Sequence, residues 1–137
     1  MRSVQYPAKF EYLDEIRDFV GDIARQNGFG SKEVYGIQLA TDEAASNIIE
    51  HAYEHISEGV LELSCGFKGG EITVILVDHG EPFDPSEIPM PDLKADLSDR
   101  KIGGLGIFLM RKLMDEVHYD SQPGKNSNTL TMIKRKR

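Results

Sequence analysis

The sequence predicts an α+β fold in which helices pack on one face of a largely antiparallel sheet. In the first part of the chain, apolar residues recur at every third or fourth position, which is typical of amphipathic helices. Further on, apolar residues alternate with polar ones in short segments next to glycines, which is typical of strands and hairpins. The resulting order is helix, helix, hairpin, long loop, helix, hairpin, and this order favours the two-layer architecture. With 137 residues, we expect a single domain over 1–137.

The composition excludes several classes of protein. There are 16 Lys and Arg against 23 Asp and Glu, so the net charge of −7 disfavours binding to nucleic acid or to an anionic membrane. No segment approaches the roughly 18–20 apolar residues of a membrane span, and the N-terminus has no apolar signal region. We therefore expect a cytoplasmic protein. Its single cysteine, Cys65, excludes an internal disulfide and is expected to be a core residue, and 134–137 is expected to be a solvated basic tail.

The first two predicted elements are helices. Residues 9–27 place their apolar side chains on one face, and Asn27-Gly28 supplies a stop signal. Ser31 is expected to cap a second helix with a broad apolar face, which runs to about Ala52.

A hairpin and a long loop follow. Residues 61–67 alternate as a strand, and Lys68-Gly69-Gly70 forms the predicted turn because glycine accepts a positive φ. Residues 72–77 are too apolar for one face to be solvated, so this strand is expected to be central. Residues 81–102 show no periodicity, and a loop of this length is usually a functional lid or disordered. The remaining predicted elements are a helix and two short strands, over 107–114, 117–121 and 129–135.

Two polar residues stand out on the second helix. Glu43 and Asn47 are four positions apart, so their side chains lie one above the other, at the edge of the apolar face. A carboxylate and a carboxamide in this position could line a pocket. The alternative is an ordinary polar flank of the helix.

Asp78 and Gly80 follow the central strand. A carboxylate at the end of a buried strand is costly unless it is hydrogen-bonded. Asp78 could accept a hydrogen bond from a ligand's amino group while Gly80 clears space for a flat ring. The alternative is strand-end turn chemistry, in which Asp and Gly are common.

Gly103-Gly104-Leu105-Gly106 opens the third helix, where exposed N–H groups and the helix dipole can bind an anion. The alternative is a hinge after the loop, and the segment matches neither the Walker A nor the Rossmann pattern. In this order, the three features together would suit a Mg²⁺-nucleotide. An asparagine supplies the oxygen ligand that Mg²⁺ prefers, the aspartate contacts the base and the glycines approach the phosphates.

These segments resemble the motifs of the GHKL ATPase superfamily. Residues 42–53 are similar to its N-box, 78–85 to its G1 box and 103–109 to its G2 box. With Met114-Asp115-Glu116-Val117 and the small size, they resemble the stand-alone anti-sigma-factor serine kinases. The resemblance implies a Bergerat-type α/β sandwich with a mixed, mostly antiparallel sheet and an ATP lid over about 84–102.

The resemblance also implies roles for individual residues. Glu43 would be the general base that deprotonates a serine of a partner protein, and Asn47 would be the Mg²⁺ ligand. Asp78 would contact the adenine amino group, and Gly80 would make room for the base. The other residues implied at the ATP site, through these boxes and a late hydroxyl near the adenine, are Phe83, Gly103, Gly104, Leu105, Gly106 and Thr129.

The implied function is that of an ATP-dependent serine protein kinase and anti-sigma factor. It would phosphorylate a small anti-anti-sigma protein of the STAS type and sequester a sigma factor, with a homodimer as the plausible assembly. The alternative is a nucleotide-sensing module that binds a partner without productive phosphoryl transfer. Arg100 and Lys101, at the end of the lid, are candidates by position for neutralising γ-phosphate charge. Pro82 replaces a glycine of many histidine-kinase catalytic domains, which argues against a sensor kinase.

One further motif would indicate a zinc site instead of a nucleotide site. Residues 51–55 spell the inverted zinc-protease motif, with His51 and His55 four positions apart. A catalytic zinc needs a third protein ligand and a substrate cleft, for which three nucleotide motifs leave little room. Zinc chemistry is therefore the weaker interpretation.

Overall fold

The computed structural model describes residues 1–53, 58–82, 102–122, 124 and 127–137, with the backbone alone at 102–105. The described helices are α1 Leu13–Gln26, α2 Ser31–Asn47 and α3 Ile102–Leu113. The described strands are β1 Arg2–Pro7, β2 Val60–Lys68, β3 Glu71–Asp78, β4 Glu116–Gln122 and β5 Ser127–Arg135. A 3₁₀ turn, Phe10–Tyr12, precedes α1, and a π-helical segment, Ile48–Ala52, continues α2.

The strands form one sheet in the order β1-β2-β3-β5-β4. Every described pairing is antiparallel, so the α+β prediction is confirmed and the parallel part of a mixed sheet has no counterpart in this portion of the chain. β3 is central, as its apolar sequence predicted. The pairing of β3 with β5 sets Asp78 opposite Asn128 and Val77 opposite Thr129, and this register determines which side chains meet at the candidate site.

The core lies between the helices and one face of this sheet. Alternate residues of β2, β3 and β5 are fully buried against apolar residues of all three helices. Fully buried examples are Ile16, Ile37, Leu63, Leu76 and Met110. The buried phase of the strands therefore points toward α2, which carries Glu43 and Asn47.

Most of the predictions for helix ends and turns are confirmed. α1 ends at Gln26 with Asn27 as its C-cap, and Gly28 follows with a φ of 85°, as the stop signal predicted. Gly69 and Gly70 have φ values of 60° and 78°, which makes the β2–β3 connection a two-residue hairpin turn. The capping prediction was wrong: Gly30 in extended conformation is the N-cap of α2, and Ser31 is its first helical residue. No described helix is long and apolar enough to cross a membrane.

The N-terminal strand β1 was missed. It pairs with β2 at the edge of the sheet, and each of its residues is exposed or half-buried. A strand that buries no side chain completely shows little hydrophobic alternation, which is the signal that sequence reasoning uses. Its place in the sheet is determined by the backbone pairing with β2.

The basic C-terminal end is exposed at residues 135–137, as expected, but it is not a free tail. The Asp115 carboxylate accepts hydrogen bonds from the backbone N–H of Arg135 at 2.7 Å and from the Arg137 guanidinium at 2.5 Å. These bonds, led by that of Arg137, lower the pKa of Asp115 to about 2. An ion pair therefore holds Arg137, and a backbone hydrogen bond holds Arg135, to the residue that precedes β4.

The prediction that Cys65 is a core residue is confirmed. Its side chain is fully buried in β2, and burial raises the pKa of the thiol from its ordinary 9.0 to about 12. Because the thiolate is the nucleophile, we expect iodoacetamide to alkylate the native protein at least ~1,000-fold more slowly than the urea-unfolded chain, in line with this pKa difference. Equal rates in the two states would contradict the buried assignment.

Candidate functional site

Glu43 and Asn47 lie on the side of α2 that faces α3. A Cβ atom built on Gly106 of α3 would lie 2.6 Å from Oε2 of Glu43 and 3.7 Å from Nδ2 of Asn47. Glycine at 106 therefore lets the backbone of α3 approach both polar side chains. The structure thus brings together two of the predicted motif segments, the polar edge of the second helix and the glycine-rich helix start.

Asn47 carries a buried amide whose nitrogen is hydrogen-bonded by none of the described residues. Its side chain is only 6% exposed, and its Nδ2 atom has no hydrogen-bond partner among the described residues. Burying such a group without a partner costs about 1–3 kcal/mol, so a ligand that bonds to it would recover this cost. Rotation of the amide by 180° presents its oxygen instead, which is a ligand that Mg²⁺ accepts. The chemistry of Asn47, with the Glu43 carboxylate one turn away, fits a bound Mg²⁺.

Glu43 is a half-buried carboxylate with an increased affinity for protons. Burial is the main reason that its pKa lies above the usual 4.5, and the negative charges of Asp42 and Glu50 raise the pKa further. The pKa of Asp42 is also raised by burial, although Arg17, with Nε at 3.9 Å from Oδ1, partly offsets that shift. A carboxylate with a raised pKa is a better general base near neutral pH.

Asp78 has one carboxylate oxygen that accepts no hydrogen bond from the described residues. It is 4% exposed, and its Oδ1 atom accepts hydrogen bonds from Asn128 Nδ2 at 2.8 Å and from the Gly80 N–H at 3.0 Å. Burial raises the pKa of Asp78, and these two bonds lower it. Among the described residues, none donates to Oδ2, so this oxygen remains available as an acceptor for a ligand.

Asn128 is the site residue that sequence reasoning missed. Thr129 was expected to place a hydroxyl near the adenine. In the structure it lies opposite Val77, at a half-buried position that alternates with the buried residues of β5. Asn128 is 2% exposed and faces Asp78 on the buried phase. The available signal was that Asn128 shares the alternation of the buried Leu130 and Met132. A polar residue in such a phase needs a buried polar partner.

A largely apolar pocket connects Asn47 with Asp78. The other residues lining it are Ala44, Ile48, Ala52, Met110, Tyr119 and Leu130. An apolar pocket with a few oriented polar groups is typical of small-molecule sites. A flat aromatic ring bearing a hydrogen-bond donor would match this lining and the open oxygen of Asp78.

Tyr53 holds the segment that follows Asp78. Its hydroxyl accepts a hydrogen bond from the His79 N–H and donates one to the Val60 carbonyl, both at 2.8 Å. Tyr53 follows the π-helical segment and is 7% exposed. The Tyr53 hydroxyl therefore connects the end of the π-helical segment to the start of β2 and to the residue that follows β3.

Gly80 is required by a close backbone contact. A Cβ atom there would lie 2.6 Å from the carbonyl carbon of Ala52 and would overlap its oxygen, which accepts the Glu81 N–H at 2.8 Å. The prediction that Gly80 makes room for a base remains a prediction, but the contact with Ala52 already excludes a side chain.

We therefore expect Gly80→Ala to lower the free energy of unfolding by about 1–3 kcal/mol, because backbone atoms must shift to admit the methyl group. Urea unfolding followed by circular dichroism measures this loss. The matched control is Gly124→Ala, because no described atom would lie within 4 Å of its Cβ. A Gly80→Ala variant as stable as the control would contradict the close approach.

Some predicted site residues lie outside the described part of the chain. Phe83, Arg100, Lys101 and all but the last residue of the expected lid at about 84–102 belong to this group. Gly103, Gly104 and Leu105 belong to the first turns of α3, as the glycine pattern predicted. Of the zinc-protease motif, Glu54 and His55 also fall outside it, and the described residues contain no cluster of three metal-ligating side chains.

Comparison with known proteins shows which sequences this chain is similar to. A family model described as a histidine kinase-like ATPase domain matches residues 6–134. The chain is 32% identical to the serine-protein kinase RsbW of Halalkalibacterium halodurans, over 86% of this chain and 74% of that protein. It is 30% identical to the serine-protein kinase RsbW of Bacillus subtilis, over 89% of this chain and 79% of that protein.

Solved structures share the fold. The structure of the RsbU and RsbW domains of a Mycobacterium tuberculosis protein matches with a TM-score of 0.68 and 16% identity; the match covers 98% of this chain but 32% of that one. The catalytic domain of histidine kinase ThkA matches with a TM-score of 0.55 and 14% identity, over 99% of this chain and 97% of that one. The α+β architecture is therefore that of histidine kinase catalytic domains.

Proposed function

Because this chain belongs to the histidine kinase-like ATPase domain family, we propose that it is an ATP-dependent protein-serine kinase that acts as an anti-sigma factor. The observation that carries the proposal is the pocket lined by the Asn47 amide and the Asp78 carboxylate, with the Glu43 carboxylate one helical turn from Asn47. Among the described residues, none hydrogen-bonds to Nδ2 of Asn47 or donates to Oδ2 of Asp78. The relatives at about 30% identity are named serine-protein kinases, which supports a serine as the acceptor.

In this proposal, each of the three groups has a role toward ATP. Oδ2 of Asp78 accepts the amino group of the adenine, whose ring lies against the apolar residues of the pocket. Asn47 holds the Mg²⁺ ion through its amide oxygen. When bound, Mg²⁺ neutralises phosphate charge. The N–H groups at the start of α3 bind the phosphates, and Gly106 keeps this backbone close to α2.

Glu43 acts on the phosphoryl acceptor. The carboxylate takes the proton of a partner's serine hydroxyl as the serine oxygen attacks the γ-phosphorus. A bond forms between that oxygen and phosphorus, the bond to the β,γ-bridging oxygen breaks, and ADP leaves with the electron pair. The raised pKa of Glu43 favours this proton transfer. Arg100 and Lys101 are proposed to neutralise charge on the γ-phosphate.

The proposed partners follow from the same family resemblance. The serine belongs to a small STAS-type anti-anti-sigma protein, and the same chain sequesters a sigma factor when that antagonist is phosphorylated. We place this switch in the cytoplasm and propose a homodimer, with no nucleic acid or membrane bound directly. The charge of −7 agrees with a protein that controls transcription through protein partners.

The testing experiment is calorimetric titration of the whole chain with ATP, with and without Mg²⁺. We expect micromolar binding that requires Mg²⁺. Labelled ATP is then incubated with the chain and purified STAS-type proteins, and label on a serine is expected. Binding without transfer would favour the alternative, a nucleotide-sensing module that binds its partner. Absence of binding would contradict both the kinase hypothesis and the nucleotide-sensor hypothesis.

A further inference from the structure

A closed hydrogen-bond network surrounds Asp78 on the side away from the pocket. Asn128 Nδ2 donates to Asp78 Oδ1 at 2.8 Å and to the Gly80 carbonyl at 3.0 Å. The carbonyl oxygen of the Asn128 side chain accepts from the Ser121 hydroxyl at 2.8 Å. Both amide hydrogens and the amide oxygen of Asn128 are therefore used, and the residue is 2% exposed.

This network allows only one orientation of the Asn128 amide. Rotation by 180° would set its oxygen against two acceptors, Asp78 Oδ1 and the Gly80 carbonyl, and the two hydrogen bonds would be lost. A fully satisfied buried network of this kind holds its members in one arrangement. Asp78 consequently cannot rotate its carboxylate without giving up the bonds from Asn128 and Gly80.

We propose that Asn128 is a positioning residue for base recognition: it occupies one oxygen of Asp78, so that the other oxygen selects a purine with an amino group at C6 over a purine with a carbonyl group there. The inference rests on the proposed function and deepens it, since it assigns the discrimination between ATP and GTP. A fixed carboxylate oxygen accepts from an amino group and repels a carbonyl oxygen.

Loss of Asn128 changes the protonation of Asp78 as well as its orientation. The hydrogen bond from Asn128 lowers the pKa of this buried carboxyl, so removing the bond raises the pKa. A protonated Asp78 can donate to the C6 carbonyl of guanine. Of the titratable groups around it, the charge of His79 lowers the pKa of Asp78, Tyr53 interacts with it electrostatically, and Tyr119 lines the same pocket.

The test measures the dissociation constants of Mg-ATP and Mg-GTP for the whole chain at pH 6 and pH 8. We expect Asn128→Leu to lower the preference for ATP over GTP at least tenfold, and more strongly at pH 6 than at pH 8. Asn128→Ala, in which water can enter the vacated space, is the second variant and is expected to lose at least threefold. Thr131→Val, on the opposite phase of the same strand, is the control and should keep the wild-type preference.

The outcomes separate this inference from the function on which it rests. If the wild type binds neither nucleotide, the proposed function fails and the inference fails with it. If the wild type prefers ATP but a folded Asn128 variant keeps the same preference at both pH values, only the positioning role is overturned. A lower preference that is the same at both pH values would show that Asn128 acts through the orientation of Asp78 and not through its protonation.

Discussion

Asp78→Asn is expected to weaken ATP binding at least about 100-fold while the protein stays folded. In the wild type, Oδ1 of Asp78 accepts from Asn128 and Gly80, and no residue in the described part of the chain donates to Oδ2. An asparagine can keep both bonds through its single oxygen. It then presents an N–H donor where the adenine amino group needs an acceptor, so one bond is lost and two donors face each other. A lost bond to a charged group with a buried donor left unpaired costs about 3 kcal/mol or more, which corresponds to more than 100-fold in affinity.

The stability of the Asp78→Asn variant makes this prediction specific. Burial raises the pKa of Asp78 above its ordinary 3.8, so the favourable neutral form is lost as the pH rises through that raised value. At pH 7 a neutral asparagine avoids the desolvation cost of a buried carboxylate. We therefore expect a melting temperature equal to or above that of the wild type. Calorimetric titration and thermal unfolding measure the two properties on one sample.

Asp120→Asn is the matched control for this experiment, because it makes the same chemical change at an exposed position of β4. It should leave the affinity for ATP unchanged. If Asp78→Asn binds ATP as tightly as this control, Asp78 is not the base-recognising group. If it unfolds, the carboxylate has a structural role that its hydrogen bonds do not suggest.

The parts of the fold that were predicted correctly are those whose burial is periodic along the chain. α1 and α2 each bury one face, and β2 and β3 alternate between buried and half-buried residues. Periodic burial can be predicted from the spacing of the apolar residues along the sequence. The edge strand β1 shows no such spacing, because it pairs with β2 through backbone hydrogen bonds that any residue except proline can make.

The candidate site was predictable in its motif residues and less so in the residues that position them. Glu43, Asn47 and Asp78 occur in segments whose local spacing suggests a use. Asn128 meets Asp78 across 50 positions of sequence, and Tyr53 meets His79 across 26. Such partners depend on the register of β3 with β5 and on the path of the chain after α2. Local periodicity does not specify either of these, so their roles follow only from the three-dimensional arrangement.

Glu43→Gln is expected to leave ATP binding within about threefold of the wild type and to slow phosphoryl transfer by at least about 100-fold. The glutamine keeps the size of the side chain beside Gly106, so the packing of α2 against α3 is retained. It cannot take the proton of the serine, and positioned general bases contribute typically 10²–10⁴-fold to a rate. Calorimetry measures the binding, and transfer of labelled phosphate to the serine protein measures the reaction.

The pH dependence of the wild type provides an independent check on Glu43. Its carboxylate acts as a base only when ionised, so transfer should rise with pH through the pKa of this residue and then level off. Since burial, Asp42 and Glu50 raise that pKa, the midpoint should lie above the usual 4.5. Glu33→Gln, at a half-buried position in the first turn of α2, should keep both the rate and the profile. If Glu43→Gln also retained them, the carboxylate would not be the base.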